Sequence, residues 1–279
     1  MAFRSLLVHL DDGERCSHRL GIATRIAHEF TAQLVGVYLV PTPELTPTIA
    51  ALLPESVVKQ RLRVTGEAQD LAEARFCETS QRANLVAIEW RAPAGDPVKA
   101  IAAHTRGADL AIVGQPNPHD FDAAFVGELA NAAVLHGGRP VLIVPHSGAV
   151  GAVGKTVFVA WNDSKESARA VADALSILAK AKQVIVMSIN TSDDEGRSEG
   201  HGVAHIDAYL RRHRVVAAVR HIDDADADVG ELLLAQAQGV GADLMVMGAY
   251  GHTALRERML GGVTRTILTK ATMPVLMSH

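Results

Sequence analysis

The residues best suited to chemistry in this chain are glycines. Gly248-Ala249-Tyr250-Gly251 is followed by nine residues and then by Gly261-Gly262-Val263-Thr264. That spacing describes an anion cradle. Gly248 and Gly251 let the backbone turn tightly and approach a phosphate with no Cβ in the way. Gly261 and Gly262 open a helical stretch, VTRTILTKA, whose unpaired N–H groups and dipole favour negative charge. His252, Arg256 and Arg258 lie between the two glycine pairs and would add cationic help. The same glycines would serve equally well for turn geometry and helix–strand packing, and spacing alone leaves both readings open.

Other chemical strings fail on context. Gly154-Lys155-Thr156 resembles the end of a P-loop, but Ala149 stands where the spacing needs glycine, and Thr156 leads into the strand-like run VFVAW rather than a helix. Gly196-Arg197-Ser198-Glu199-Gly200 matches a nucleophile-elbow string, yet the polar TSDDE precedes it where a buried strand is required. His201 and His205, four apart, could form a weak metal site with Asp207 or His213; surface or satisfied histidines are the more frequent outcome. Trp161 could stack on a base, although core packing is the commoner fate of such a residue. No paired carboxylates or nucleophile–base pair accompany the glycine loop, so binding, or at most slow hydrolysis, fits better than defined turnover; no catalytic residue is assigned.

These residues need elements to hold them. The chain has 279 residues, 48% hydrophobic and 21% charged, enough for two domains with real cores and not a disordered composition. A formal charge of −4 argues against a nucleic-acid-coating protein. Two cysteines, Cys16 and Cys77, are too few for a disulfide framework. No stretch approaches the ~20 apolar residues of a membrane span and no signal peptide is legible at the start, so a cytoplasmic, membrane-free protein is expected.

The chain repeats itself. Gly-Ala-Asp-Leu occurs at 107–110 and 241–244, and Pro-Val-Leu at 140–142 and 274–276, both 134 positions apart. Leu6–Asp11 resembles Val157–Asn162 at a separation of 151, so unit one carries about 17 extra residues, expected in the proline-rich PTPELTPTIAALLPE. The Gly-rich 146–155 reads as the junction, giving units 1–146 and 155–279. Within each unit five short, continuous apolar runs alternate with helix-period stretches. In unit two the runs are VFVAW, VIVMSI, VVAAV, LMVM and PVLM; unit one supplies LLVHL, LVGVYLV, LVAI, LAIV and PVLIV. Ala168, Val171, Ala172, Leu175, Leu178 and Ala179 form the predicted core stripe of one helix. The pattern predicts two doubly wound, five-stranded, mostly parallel α/β sheets in tandem, with ligands bound beyond the carboxyl ends of the strands.

The glycine run resembles the nucleotide loop of the universal stress protein family, Gly-x2-Gly-x9-Gly-(Ser/Thr), followed by a helix and a final Pro-Val-Leu strand, and the resemblance covers nearly the whole chain as two copies. It implies an adenine nucleotide, ATP or AMP, with magnesium where ATP binds, held between the first and fourth strands. It also implies a bacterial stress-response role and two domains that pair within the chain as single-domain members do in homodimers; a further homodimer of whole chains is open. Carried over by position, Gly248, Gly251, Gly261 and Val263 match, and His252 and Thr264 lie in the same run. Gly262 stands where the family has Ser or Thr, so a hydroxyl contact to phosphate is missing. Asn162 replaces an acid near the adenosine while keeping an acceptor and gaining donors, and Ile189 matches the position flanking adenine. In unit one Asp11 is the expected acid and Leu39 the counterpart of Ile189, but Gly114 is followed by Gln-Pro-Asn-Pro, with Asn117 at the second glycine. Pro116 and Pro118 remove donors, and Asp120, Asp122 and Glu128 carry the wrong sign. Unit one is therefore expected to be a degenerate, mainly structural copy. Two rival readings are a scaffold that kept the fold and lost the ligand, and a nucleotidyl-transferase-type enzyme, for which no His-x-Gly-His segment is found.

Overall fold

A computed structural model describes residues 2–13, 15–40, 54–148, 151–190, 201–223, 228–251 and 262–279. Unit one runs β1 (Ser5–Leu10), α1 (Cys16–Phe30), β2 (Gln33–Tyr38), α2 (Glu55–Arg82), β3 (Ile88–Arg91), α3 (Pro97–Thr105), β4 (Leu110–Gly114), α4 (Ala123–His136) and β5 (Val141–Val144). Unit two repeats the order as β6 (Thr156–Trp161), α5 (Lys165–Leu178), β7 (Gln183–Asn190), α6 (His201–Arg212), β8 (Ala217–Asp223), α7 (Val229–Gly239), β9 (Leu244–Gly248), α8 (Gly262–Lys270) and β10 (Val275–Ser278).

The two expected sheets are joined into one. The strand order is β3-β2-β1-β4-β5-β10-β9-β6-β7-β8, parallel within each unit and antiparallel only at β5–β10, where Leu276 faces Leu142. The junction has a simple cause. VLIV and VLMS are buried along their whole length, and as sheet edges they would leave unpaired amides beside apolar side chains. Alternate residues feed cores on opposite faces. Val157, Val159 and Trp161 point to the α1/α5 side, while Phe158 packs with Met245, Leu233 and Ile267 on the other.

The repeated Gly-Ala-Asp-Leu proves to be a structural staple. Asp109 accepts hydrogen bonds from the amides of Arg4 and Ser5 at 2.7 and 3.0 Å, tying the start of β1 to β4. Asp243 does the same for Gly154, Lys155 and Thr156 at the start of β6. The amides of the P-loop lookalike are thus consumed by a carboxylate of the protein's own.

Three sequence expectations shift. The third strands begin later than the runs LVAI and VVAAV suggest, at Ile88 and Ala217. Val86 and Val216 are exposed, and both strands end in charged residues, as suits edges of the sheet. The extra length of unit one lies largely in α2, which has 28 residues against 12 in α6. Pro54 marks where this helix starts, and exposed pairs such as Glu55–Lys59 and Glu78–Arg82 support its polar turns; residues 41–53 lie outside the described residues. On α5 the buried stripe is Ser167, Ala170, Val171, Ala174, Ile177 and Leu178, so Ala168, Ala172 and Ala179 are exposed. Alanines on both faces left the phase of the stripe undetermined. Close packing on the sheet selected the face bearing Ser167, Ala170 and Ala174.

Candidate functional site

The strand order reverses between β1 and β4 in unit one and between β6 and β9 in unit two, the position at which sheets of this kind form a ligand cleft. In unit two β6 delivers Trp161 and then Asn162 and Asp163, both exposed, with Asp163 in the left-handed region at φ 56°. Ser164 caps α5. Its Oγ accepts from the Ser167 amide at 3.1 Å, and the Ser167 Oγ accepts from the Ser164 amide, a reciprocal capping box. Asn162 Oδ1 accepts from the Ser164 hydroxyl at 2.7 Å, which orients the amide at the mouth of the cleft.

The glycine turn lies against this capped end. A Cβ on Gly248 would sit 2.5 Å from the Ser167 amide nitrogen and 2.6 Å from the Glu166 carbonyl carbon, so glycine is required for the first turn of α5 to rest on β9. Gly251 has room for a Cβ, whose nearest neighbour is Glu166 Oε2 at 3.7 Å. Tyr250 between them adopts φ 59°, its amide donates to Thr264 Oγ1 at 3.4 Å, and its hydroxyl donates to Asn131 of unit one at 2.6 Å. Burial pushes the Tyr250 phenol up to about 12.

The predicted site residues divide accordingly. Asn162 lies at the end of β6, bonded to the Ser164 cap of α5, while Gly248, Gly251 and Thr264 meet at the turn and the start of α8. Gly262, exposed with nothing near its missing side chain, and Val263 form the first positions of that helix. The Thr264 hydroxyl is engaged with the loop itself. Ile189 is buried in β7 opposite Ile222. His252 and Gly261 lie outside the described residues, as do Arg256 and Arg258. Trp161 is 7% exposed and faces the α5/α6 side, where with Ile206, Tyr209 and Arg212 it borders a cavity of about 410 Å³. Leu39 in unit one is buried, and its carbonyl lies 2.9 Å from His9 Nε2.

Unit one's cleft is filled from within. Arg19, fully buried on α1, donates from Nη2 to Asp11 Oδ2 at 2.7 Å and from Nε to the His9 carbonyl at 2.7 Å. Its Nη1 would lie 2.6 Å from a Cβ on Gly114, so the guanidinium rests on the first glycine of the degenerate loop. Burial pushes the Asp11 carboxyl up, but the Arg19 charge, His9 and the Gly13 amide outweigh it, leaving Asp11 below the usual carboxylate range. Burial, reinforced by the Arg19 charge, drives His9 down to about 4, so the ring is neutral. The loop beyond β4 closes on itself. Asn117 donates to Asp120 at 2.8 Å, and Gln115 bridges the units by donating to the Ala271 carbonyl at 3.1 Å while accepting from the His146 amide at 2.8 Å.

Two side chains that govern these clefts escaped the sequence reading, Arg19 and Glu166. Glu166 is the first-turn acid of α5, 5% exposed and lying across the glycine turn. At the 151-residue spacing of the first strands, Arg19 aligns with Ala170 and Arg15 with Glu166. Setting the two units side by side at these positions would have exposed the contrast. Among the described residues no group of three or more His, Cys, Asp or Glu is placed to hold a metal, and no helix is long and apolar enough to cross a membrane.

The profile of the universal stress protein family matches residues 2–145 and again 154–279. No curated protein sequence matches the chain. Among solved structures, a universal stress protein from Archaeoglobus fulgidus DSM 4304 superimposes with TM-score 0.75 at 16% identity, covering 98% of this chain and 95% of that one. A functionally unknown protein from Pseudomonas aeruginosa PAO1 gives TM-score 0.61 at 18% identity, covering 99% and 92%. A universal stress protein in complex with cAMP matches at 24% identity and TM-score 0.39, covering 53% of this chain and all of that one. At these identities the first two likenesses speak for the fold alone. The family match spans nearly the whole sequence, once in each unit, and with the architecture it identifies the chain as a member of the universal stress protein family carrying two copies of the domain in tandem.

Proposed function

We propose that this protein binds an adenine nucleotide, ATP or AMP, in the cleft between β6 and β9, and that unit one serves chiefly to brace it. The observation that carries the reading is the difference between the clefts. Where Arg19 fills the first, the second has Ala170. Where Asp11 is buried in an ion pair, the aligned Asn162 is an exposed, uncharged amide. The Gly248–Gly251 turn and the start of α8 meet beyond β9, and helix N-termini and close-approach glycines are the parts from which phosphate sites are made. The same proposal includes a role in the stress response and a cytoplasmic setting, which family membership supports, with magnesium accompanying ATP.

Calorimetry of the purified chain with ATP, ADP and AMP tests this, alongside a Gly251→Glu variant that places a side chain and a charge in the turn. Saturable binding by the parent chain and its loss in the variant is the expected result. No heat at millimolar nucleotide, with both proteins behaving alike, rejects the proposal in favour of a scaffold that works through protein partners. The buried Glu166 carboxylate is the observation that most favours that second reading.

A further inference from the structure

We propose that Glu166 is a built-in anion of the second cleft, and that it makes the cleft discriminate among adenylates by phosphate charge, favouring nucleoside and monophosphate over triphosphate. The inference rests on the adenylate reading above and names which members of that class the site accepts.

The geometry leaves the carboxylate little freedom to withdraw. A Cβ on Gly248 would lie 2.6 Å from the Glu166 carbonyl carbon and 2.7 Å from its Cβ, so the residue's main chain is pressed onto the end of β9. The side chain, 6% exposed, then runs along the turn until Oε2 reaches Gly251. Its ion-pair partner is its neighbour Lys165, whose Nζ stands 3.5 Å from Oε1 on a side chain that is 83% exposed. An ammonium held out in solvent neutralises a buried carboxylate poorly. An acid in the first turn of a helix ordinarily serves the helix dipole from the surface. Here the acid is folded inward against the glycines, so it draws on the positive end of α5 beside the turn where a phosphate would be held.

Unit one sharpens the point. Its carboxylate, Asp11, is neutralised by a buried guanidinium at 2.7 Å, whereas the position aligned with Arg19 in unit two is an alanine that offers no charge. Among the described residues, an entering phosphate therefore meets a buried negative charge balanced only by the exposed Lys165, where water screens little, and the repulsion grows with each additional phosphate. Gly262, in place of a hydroxyl residue, adds no attraction to oppose it.

The experiment measures the affinities of adenosine, AMP and ATP for the full chain, Glu166→Gln and Glu166→Ala, without and then with magnesium. Thermal unfolding of each protein confirms that it is folded. Glutamine keeps the shape and removes the charge; alanine guards against new hydrogen bonds from the glutamine amide. Both variants are expected to tighten ATP about tenfold or more, AMP about threefold, and adenosine by less than about twofold. If removing the carboxylate moves all three ligands by one common factor, charge discrimination is overturned while adenylate binding stands. If Glu166→Gln weakens ATP in the presence of magnesium, the carboxylate is a cation ligand and the proposal is equally overturned. If no protein in the set binds any of the three, the adenylate reading and this inference fall together.

Discussion

Unit one and unit two present the same strand ends, the same reversal of strand order and the same Gly-Ala-Asp-Leu staple, yet they treat the resulting cleft in opposite ways. In unit one the cleft is closed by its own side chains: Arg19 spans from Asp11 to the His9 carbonyl and covers Gly114. In unit two the aligned residues are Ala170, Asn162 and Ala160, and the turn beyond β9 keeps its glycines. A fold that places a ligand cleft at a fixed topological position must deal with it in every copy. Unit one fills the space with a paired charge, in which Arg19 gives both the Asp11 carboxylate and the His9 carbonyl a partner.

The contrast is broken most severely at Arg19. Arg19→Ala strands the Asp11 carboxylate in a buried, unpaired state, and a loss of about 3–5 kcal/mol in denaturant unfolding is expected. Asp11→Asn added to Arg19→Ala reproduces the Asn162/Ala170 pair of unit two and is expected to recover most of that loss. A double variant no more stable than the single one would show that the ion pair is not the reason for the cost.

Acid separates the clefts next. His9 is held down to about 4 in the folded protein, so the unfolded chain takes up its proton first, beginning near the ordinary value of 6.5. Stability therefore falls as pH drops from about 6.5 to about 4, by up to about 3 kcal/mol, and this contribution does not change further below that. Asp11 acts in sequence: its carboxyl is depressed in the folded state, so its stabilisation is present above 3.8 and is lost as pH falls through the folded value. His9→Gln should flatten the unfolding midpoint across the upper window, which urea titrations at stepped pH will show. At the aligned positions unit two has Ala160 and Asn162, which do not titrate.

Within unit two the glycines separate by role. Gly248→Ala drives a Cβ into the α5 backbone and should cost about 1–3 kcal/mol, whereas Gly262→Ala, in open space at the start of α8, should change stability by less than about 0.5 kcal/mol. Equal effects in thermal unfolding would contradict the packing assignment for Gly248. A modest change is expected at the contact between units. Tyr250→Phe removes the hydrogen bond to Asn131 and should cost about 1 kcal/mol in the same assay.

Much of this architecture was legible in the residues. The buried strand runs, the two repeats and the helix-period stretches specify a duplicated doubly wound sheet, because strands covered on both faces have few other sequence solutions. The glycine spacing pointed to the turn beyond β9, and Pro116 and Pro118 marked the first loop as different. What stayed hidden were features set by phase and by distant contact. The stripe on α5 could be read on either alanine face until Gly248 fixed which side touched the sheet. Arg19 and Glu166 each looked like ordinary polar helix residues, because a helical pattern shows which face is apolar but not that an exceptional charge turns inward. The antiparallel meeting of β5 and β10 was likewise unreadable, since both runs would serve as well inside separate sheets.

That meeting has a consequence for how such a protein can change over time. In an assembly of identical subunits every substitution strikes both halves at once, so a residue that seals one cavity seals its twin. Linking the halves through β5 and β10 in a single polypeptide removes that constraint. One half is free to become a fixed keystone while the other drifts toward whatever guest it comes to hold.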